Sequence, residues 1–573
     1  MLKDTLETIH SVIQAHPFWS LFVILAILCF YNLIYLPITS PFWKLPGSYI
    51  YRVSYIGALN RQREGTWIQT VYKLHQKYGP VVVLSPNEIS VYGPQYVNDI
   101  YVKNFPKSSF YANFTNHGHD NIFASLNNEE HLKYKKIIMR LYNKGNVMSP
   151  ENNTRKVMID STRKLLSYVY KSSITGKQPD LANVSPKLNP HAKGHREQWF
   201  NKSKRTKNLG IEVFSLFGAF AMDVISKFEL GQTNGSDLLD SPSDREIILK
   251  HRQVSSMLFW TTLMPALWDV AATKTIMKCA NDVSQFRMSL YNFAEKHLSR
   301  NGKNLTTLEA LKQNGLKGAR AYSFLSDNLF AGHETTAVQL CYLIYELSRP
   351  GNTSLVKRLQ SELYEAFGKP TSYEEVIEDL DQVDKLPFLD ALLLENSRVH
   401  SSIPGAEPRV VDREYSVGGV HIPKGTTISC LPYALHRDPV VFPKHDYFIP
   451  DRWLKYPDES QEEFQQRTKT QNKYMMHFGK GIRMCLGMHL AWIEMKLLVA
   501  NLYWHFHSSL DEDWCEIKND LEPILLGVSN SGKTSNDQEM MCMSDAYTTT
   551  GPVNEECWIR WSENEVSELP CTS

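Results

Sequence analysis

The chain has 573 residues, 42% of them hydrophobic and 21% charged, and 62 Lys and Arg against 61 Asp and Glu leave a net charge of +1. That balance suits a globular protein with a large core and supplies no basic excess for nucleic acid or a polyanionic substrate. Nine scattered cysteines, odd in number and without a Cys-x-x-Cys pair, argue against a secreted disulfide framework and against a structural zinc site.

The first element is Phe18 to Leu36, which carries no charge and only Ser20 and Asn32 as clearly polar residues. A bilayer core of roughly 30 Å needs about 20 helical residues, so the run is long enough to span. Lys3 alone precedes it, whereas Lys44, Arg52, Arg61 and Arg63 follow it. The excess of cations on the C-terminal side predicts residues 1–17 in the lumen, a transmembrane anchor over 18–36 and a cytosolic body. Pro37, Pro41, Pro46 and Gly47 predict a break and a stiff hinge over 37–47, leaving 48–573 as one large domain. On a cytosolic body the sequons at Asn113, Asn183 and Asn304 are chance matches.

Two short strands are predicted at Val81–Leu84 and Ile89–Tyr92, joined by the turn Ser85-Pro86-Asn87-Glu88. Helical patterns dominate the middle and the C-terminal half, so the fold class is mainly α with a small β-rich region (α+β). Pro186–Asn208 and Asn530–Gln538 read as solvated loops. The 12 Trp, 28 Tyr and 25 Phe are enough to line an apolar pocket as well as a core.

Ala321 to Arg349 is largely apolar and stops at Pro350-Gly351, which predicts a long buried helix. At its centre Ala331-Gly332-His333-Glu334-Thr335-Thr336 combines a helix-weakening glycine with a threonine able to bond a backbone carbonyl, a pattern that favours a kink or a small groove. His333 reads as a packing or surface residue. Glu395 and Arg398, three apart on one helical face, can pair. Phe448-Ile449-Pro450-Asp451-Arg452-Trp453 follows.

Phe478 to Gly487 reads FGKGIRMCLG and runs into a strongly helical segment. Cys485 therefore sits at the mouth of a helix, where free N–H groups and partial positive charge favour a thiolate. Gly479, Gly481 and Gly487 permit tight turns and close approach to a flat group. Arg483 is placed to meet an anionic carboxylate, and Phe478 can shield the sulfur.

The decapeptide FGKGIRMCLG resembles the haem-binding signature F-x-x-G-x-R-x-C-x-G of the cytochrome P-450 family at every fixed position. Ala331–Thr336 resembles that family's A-G-x-(D/E)-T-(T/S), Glu395–Arg398 its E-x-x-R, and Phe448–Trp453 its F-x-P-x-R-(F/W). The resemblance runs from about Trp43 to Trp561, ends on a tail that looks like the family's last hairpin, and is strongest to fungal members of secondary metabolism.

It implies a cytochrome P-450 fold behind a single transmembrane helix, with haem b held through Cys485 as the metal ligand. Glu334 and Thr335 are then the acid and alcohol that deliver protons for oxygen cleavage, and Glu395, Arg398 and Arg452 a buried structural lock. Arg483 and Arg409 face the haem carboxylates. His131 and Lys135 fall where the family usually has Trp and Arg, a departure, because Lys cannot make a bidentate contact. Phe110, Tyr111, Phe114, Phe330, Ala331, Ile403 and Tyr547 are pocket candidates.

The implied activity is insertion of one oxygen atom from O2 into a small hydrophobic substrate at the endoplasmic reticulum membrane. Electrons would come from NADPH through a separate cytochrome P-450 reductase, since the sequence holds no Gly-rich nucleotide loop or flavin domain. The alternatives are a haem-thiolate isomerase or dehydratase, which typically alters the acid–alcohol pair, and a non-catalytic haem sensor.

Overall fold

The structure, a computed structural model, describes residues 15–178, 180, 210–298, 305–527, 536–546 and 549–564. The loop Pro186–Asn208, most of Asn530–Gln538 and Tyr547 lie outside the described residues, as do residues 1–14.

The helices that matter below are α1 (Pro17–Thr39), α2 (Asn128–Ile138), α3 (Asn153–Val169), α4 (Val213–Leu230), α5 (Glu246–Ser255), α6 (Lys274–Lys296), α7 (Ala319–Ser348), α8 (Thr353–Phe367), α9 (Pro387–Val399) and α10 (Met488–His505). The strands are β1 (Val81–Ser85), β2 (Glu88–Val91), β3 (Ile211–Glu212), β4 (Arg409–Val410), β5 (Tyr415–Val417), β6 (Val420–Ile422), β7 (Thr427–Ser429), β8 (Phe506–Leu510), β9 (Leu526–Gly527), β10 (Met543–Ser544) and β11 (Trp558–Glu563).

α1 stands apart from the core, with Phe18, Trp19, Phe22 and Ile27 all more than half exposed. Its 23 residues reach about 35 Å at 1.5 Å per residue, enough to cross a bilayer. The helix does not break at Pro37 but continues to Thr39. The physical reason lies just upstream: Tyr31–Tyr35 forms a π turn, and Pro37 sits in the first positions of the turn after it, where its missing N–H is tolerated. Ser40 then turns extended and ends the helix.

β1 and β2 form the expected hairpin, with Val81 opposite Val91. β7 adds in parallel to β2 and β4 in antiparallel to β7, giving the order β1-β2-β7-β4. The tail is less local than a simple hairpin. Met543 bridges Pro552, but β11 crosses to pair antiparallel with both β8 and β3.

α4 and α7 form the heart of the helical core. Every residue of α4 is buried, as an all-round apolar helix must be. Its Asp223 is satisfied by Ser236 Oγ and by the backbone N–H groups of Leu238 and Leu239. α7 is continuous over 30 residues, so Gly332 does not interrupt it. The glycine instead permits close packing: a Cβ there would meet Ile225 of α4 at 2.7 Å.

Candidate functional site

The cysteine loop is held by its own backbone. Cys485 N–H donates to Phe478 O (2.8 Å) and Gly479 N–H to Met476 O (2.8 Å). Gly479 and Gly481 adopt φ of +68° and +72°, where other L-residues are strained. Gly481 has a second constraint, because a Cβ would strike Tyr101 O at 2.0 Å. Gly487 has ordinary φ and serves as the N-cap of α10, whose first residue, Met488, lies three after the cysteine.

The Cys485 side chain is accessible, yet burial is the strongest influence on its thiol and pushes it up. The amides of Gly487 and Met488 and the ammonium of Lys135 pull the other way. Phe478 lies beside the loop with its ring edge-on to Trp492 (5.8 Å) and 4.8 Å from His477.

A set of cations gathers above the loop. Arg483 donates to Ser125 O (2.7 Å), Leu126 O (3.0 Å) and Asn128 Oδ1 (3.0 Å), and Lys135 donates to Ile482 O (2.7 Å). These two side chains stitch the loop to α2 and to the segment that leads into it. Arg409, buried at the start of β4, donates to Tyr111 Oη (3.1 Å) and Glu407 Oε2 (3.3 Å). His131 is buried, and its Nδ1 has no partner among the described residues. Burial, then Arg483, Lys135, Lys107 and Arg409, push its imidazole down to about 3.

Sequence reasoning missed one member, Lys107. It is buried, with Nζ donating to Phe123 O (2.6 Å) and lying 4.0 Å from the ring centres of both Tyr111 and Phe123. Burial and the neighbouring Arg409 and Arg483 push its ammonium well down. The only signal was a lysine set inside the aromatic run FPKSSFYANF.

The donor set fits a flat, largely apolar group carrying carboxylates and bound through sulfur. Arg483 is pushed down to about 10 by burial and by Arg409, as expected where like charges crowd. Anions brought beside these cations would relieve that repulsion. α7 offers accessible Ala331 and half-buried Thr335, and Ile403, 43% exposed, is next in sequence to Ser402, whose Oγ donates to Thr335 O (2.9 Å).

Thr335 Oγ1 donates to Ala331 O (2.8 Å), the back-bond expected of a helical threonine. Glu334 is not beside it. Its carboxylate turns to α5, where it pairs with Arg252 (3.2 Å) and accepts from Ser255 Oγ (3.2 Å). Successive helical residues differ by about 100°, so the two side chains serve different faces of α7. Burial pushes Glu334 up to about 7, with Arg252 drawing it down. Arg252 and Ser255 carried no motif and were not foreseen. Thr336 Oγ1 is buried without a partner among the described residues.

His333 is a packing residue, edge-on to His251 (4.6 Å) with Nδ1 against Leu329 O (2.7 Å). Phe330 lies by the same histidines, 6.2 Å from each. Phe110, Tyr111 and Phe114 form one edge-on aromatic cluster with Phe123.

Glu395, Arg398 and Arg452 come together with no solvent access to the carboxylate. Glu395 accepts from Arg398 Nε (2.9 Å) and Nη2 (2.7 Å), Arg452 Nε (2.9 Å), Trp453 Nε1 (2.9 Å) and Ile449 N–H (2.8 Å).

The cytochrome P-450 family model matches residues 48–533. Among similar proteins, cytochrome P-450 monooxygenase FGM1 of Gibberella zeae is 27% identical over 82% of this chain and 87% of its own length. Monooxygenase hkm5 of Aspergillus hancockii is 25% identical over 82% and 86%, and hepC of Aspergillus oryzae 24% over 88% and 95%. With so much of the body matched by the family and by relatives nearly end to end, this chain belongs to the cytochrome P-450 family.

Proposed function

We propose that Cys485 is the thiolate ligand of haem b in a monooxygenase that oxidises a small hydrophobic substrate. The observation that carries the assignment is an accessible Cys485 at the mouth of α10, with the half-buried Arg483 and Lys135 and the buried Arg409 and Lys107 gathered by its loop. When bound, haem supplies the binding and activation of O2.

The chain's own residues orient, shield and deliver protons. The amides of Gly487 and Met488 favour the thiolate, and Phe478 packs beside it. Arg483, Arg409, Lys135 and His131 would hold the cofactor's carboxylates, with His131 neutral and able to donate one ring N–H. Thr335 offers its hydroxyl from α7. Glu334, held behind it by Arg252 and Ser255, stores a proton near neutral pH.

The relatives' names point to fungal monooxygenase chemistry, and we assign the protein to secondary-metabolite biosynthesis. Electrons come from NADPH through a membrane-bound reductase. The protein is single-pass in the endoplasmic reticulum membrane, with residues 1–17 luminal, 18–36 spanning, 37–47 a hinge and 48–573 a cytosolic catalytic domain.

The test is the ferrous–CO spectrum of wild type and Cys485→Ser, followed by turnover with and without reductase and NADPH. A thiolate-type band lost in the serine variant, with product only when electrons are supplied, is expected. A thiolate-type band that survives in Cys485→Ser refutes the ligand. Product formed without NADPH replaces the monooxygenase with an isomerase or dehydratase.

A further inference from the structure

The helical segment Pro94–Val97 and Asn98–Val102 lies against the helix Gln461–Tyr474, and between them is a groove of about 520 Å³. Gln465, Thr468, Lys469, Asn472 and Lys473 recur at three- and four-residue steps, so they form one polar stripe along the second helix. That stripe is about 12 Å long at 1.5 Å per residue. The facing wall is apolar, made by Pro94, Val97 and Val102, the last of them 51% exposed. Lys480, from the cysteine loop, completes the lining.

Three lysines and, among the described residues, no acid and no arginine line this groove. Lys469 and Lys473 have no hydrogen-bond or ion-pair partner among the described residues. Lys480 is half-buried, and its Nζ donates to a neutral acceptor, Asn472 O (3.0 Å). Burial pushes its ammonium down, with no carboxylate to hold it up. The acids of the two elements are placed elsewhere. Asp99 pairs with Lys103 (2.6 Å), Glu463 accepts from the Ser460 N–H at the helix start (2.8 Å), and Glu462 lies in that first turn, outside the lining. A concave site lined by cations of one sign attracts an anion.

We propose that this groove binds a nucleoside diphosphate, at a site separate from the haem. The kind of cation selects the anion. Lysine is a compact point charge suited to phosphate, whereas the planar fork that matches a carboxylate is missing from the lining. The volume selects the rest of the ligand. Small-molecule sites span about 300–1,000 Å³, a range that includes this groove and exceeds what a bare phosphate fills. The apolar wall then takes the flat base, and the amides of Asn98 and Gln465 offer it hydrogen bonds.

The test is isothermal titration of the full-length, haem-loaded protein with ADP, adenosine and pyrophosphate. ADP is expected to bind about tenfold or more tightly than either fragment, because each fragment lacks one half of the contact. Lys469→Gln with Lys473→Gln should weaken ADP about tenfold, the scale of a hydrogen bond to a charged group. Val102→Asp, which sets an acid on the exposed wall, should weaken it as well. Lys357→Gln, at an exposed position on α8, should leave it unchanged. The proposal is overturned if ADP does not bind, if pyrophosphate binds as tightly as ADP, or if the double lysine variant keeps the wild-type affinity. A double variant that loses affinity for purified reductase, in a protein that takes up no ADP, would replace the nucleotide site with a protein-docking face.

Discussion

Replacing Arg398 with alanine removes two of the five hydrogen bonds that Glu395 accepts and one of its two cations. It also strips the donors from three backbone carbonyls, His436 O, His445 O and Tyr447 O, which Arg398 holds at 2.9, 2.5 and 3.0 Å. Breaking a buried pair by removing one partner costs about 3–5 kcal/mol, and the added loss of three carbonyl partners puts this substitution near the upper end. Glu395→Gln with Arg398→Met should cost less than Arg398→Ala, because the double variant leaves no carboxylate stranded.

The dependence on pH follows from the same contacts. Burial pushes the Glu395 carboxyl up, but the guanidinium of Arg398, with Arg452 and Ile449 N–H, brings it below the ordinary carboxylate range. A depressed carboxylate contributes stability in full above its unfolded value of about 4.3, and that stability is lost as pH falls through the folded value. Burial also pushes Arg398 down, yet a guanidinium remains charged in this range. The assay is chemical unfolding of the haem-loaded protein at neutral pH and at pH 4, followed by haem absorbance and circular dichroism. An Arg398→Ala variant within about 0.5 kcal/mol of wild type, the ordinary spread of surface substitutions, would refute the lock.

Thr335→Ala should keep haem binding and NADPH oxidation but divert electrons to hydrogen peroxide, whereas Thr336→Ala, whose hydroxyl is buried and turned about 100° from that of Thr335 around the helix, should change product per NADPH less. A larger loss in the second variant would reverse the assignment. Because Glu334 is pushed up to about 7, it holds its proton below that pH, and coupling should decline as pH rises through about 7. Arg252→Met removes the cation that draws Glu334 down, so the midpoint of coupling should move to higher pH; an unmoved midpoint would disconnect Glu334 from proton delivery. Deleting residues 1–40 should move much of the protein into the soluble fraction with haem loading intact, since α1 buries almost nothing against the body. A truncated chain that fails to take up haem would make that helix part of the fold.

What the sequence determined by itself is what a few consecutive residues can encode. The loop FGKGIRMCLG carries its own turns at Gly479 and Gly481 and ends at the cap of α10, so Cys485 was legible as a residue at a helix mouth. The uncharged run of α1, the turn between β1 and β2 and the i,i+3 pair Glu395–Arg398 were legible for the same reason. Tertiary structure decided whatever joins distant segments. Arg252 and Glu334 are 82 residues apart, and no local pattern turns that carboxylate toward α5 rather than toward Thr335. Gly332 looked like a weak point in α7, but packing made it the place where Ile225 of α4 comes close. Lys107 is an ordinary charged residue in sequence. Only its burial among aromatic rings sets it apart. Periodicity and turn chemistry act within one element, whereas desolvation and charge neighbourhoods are properties of the packed chain.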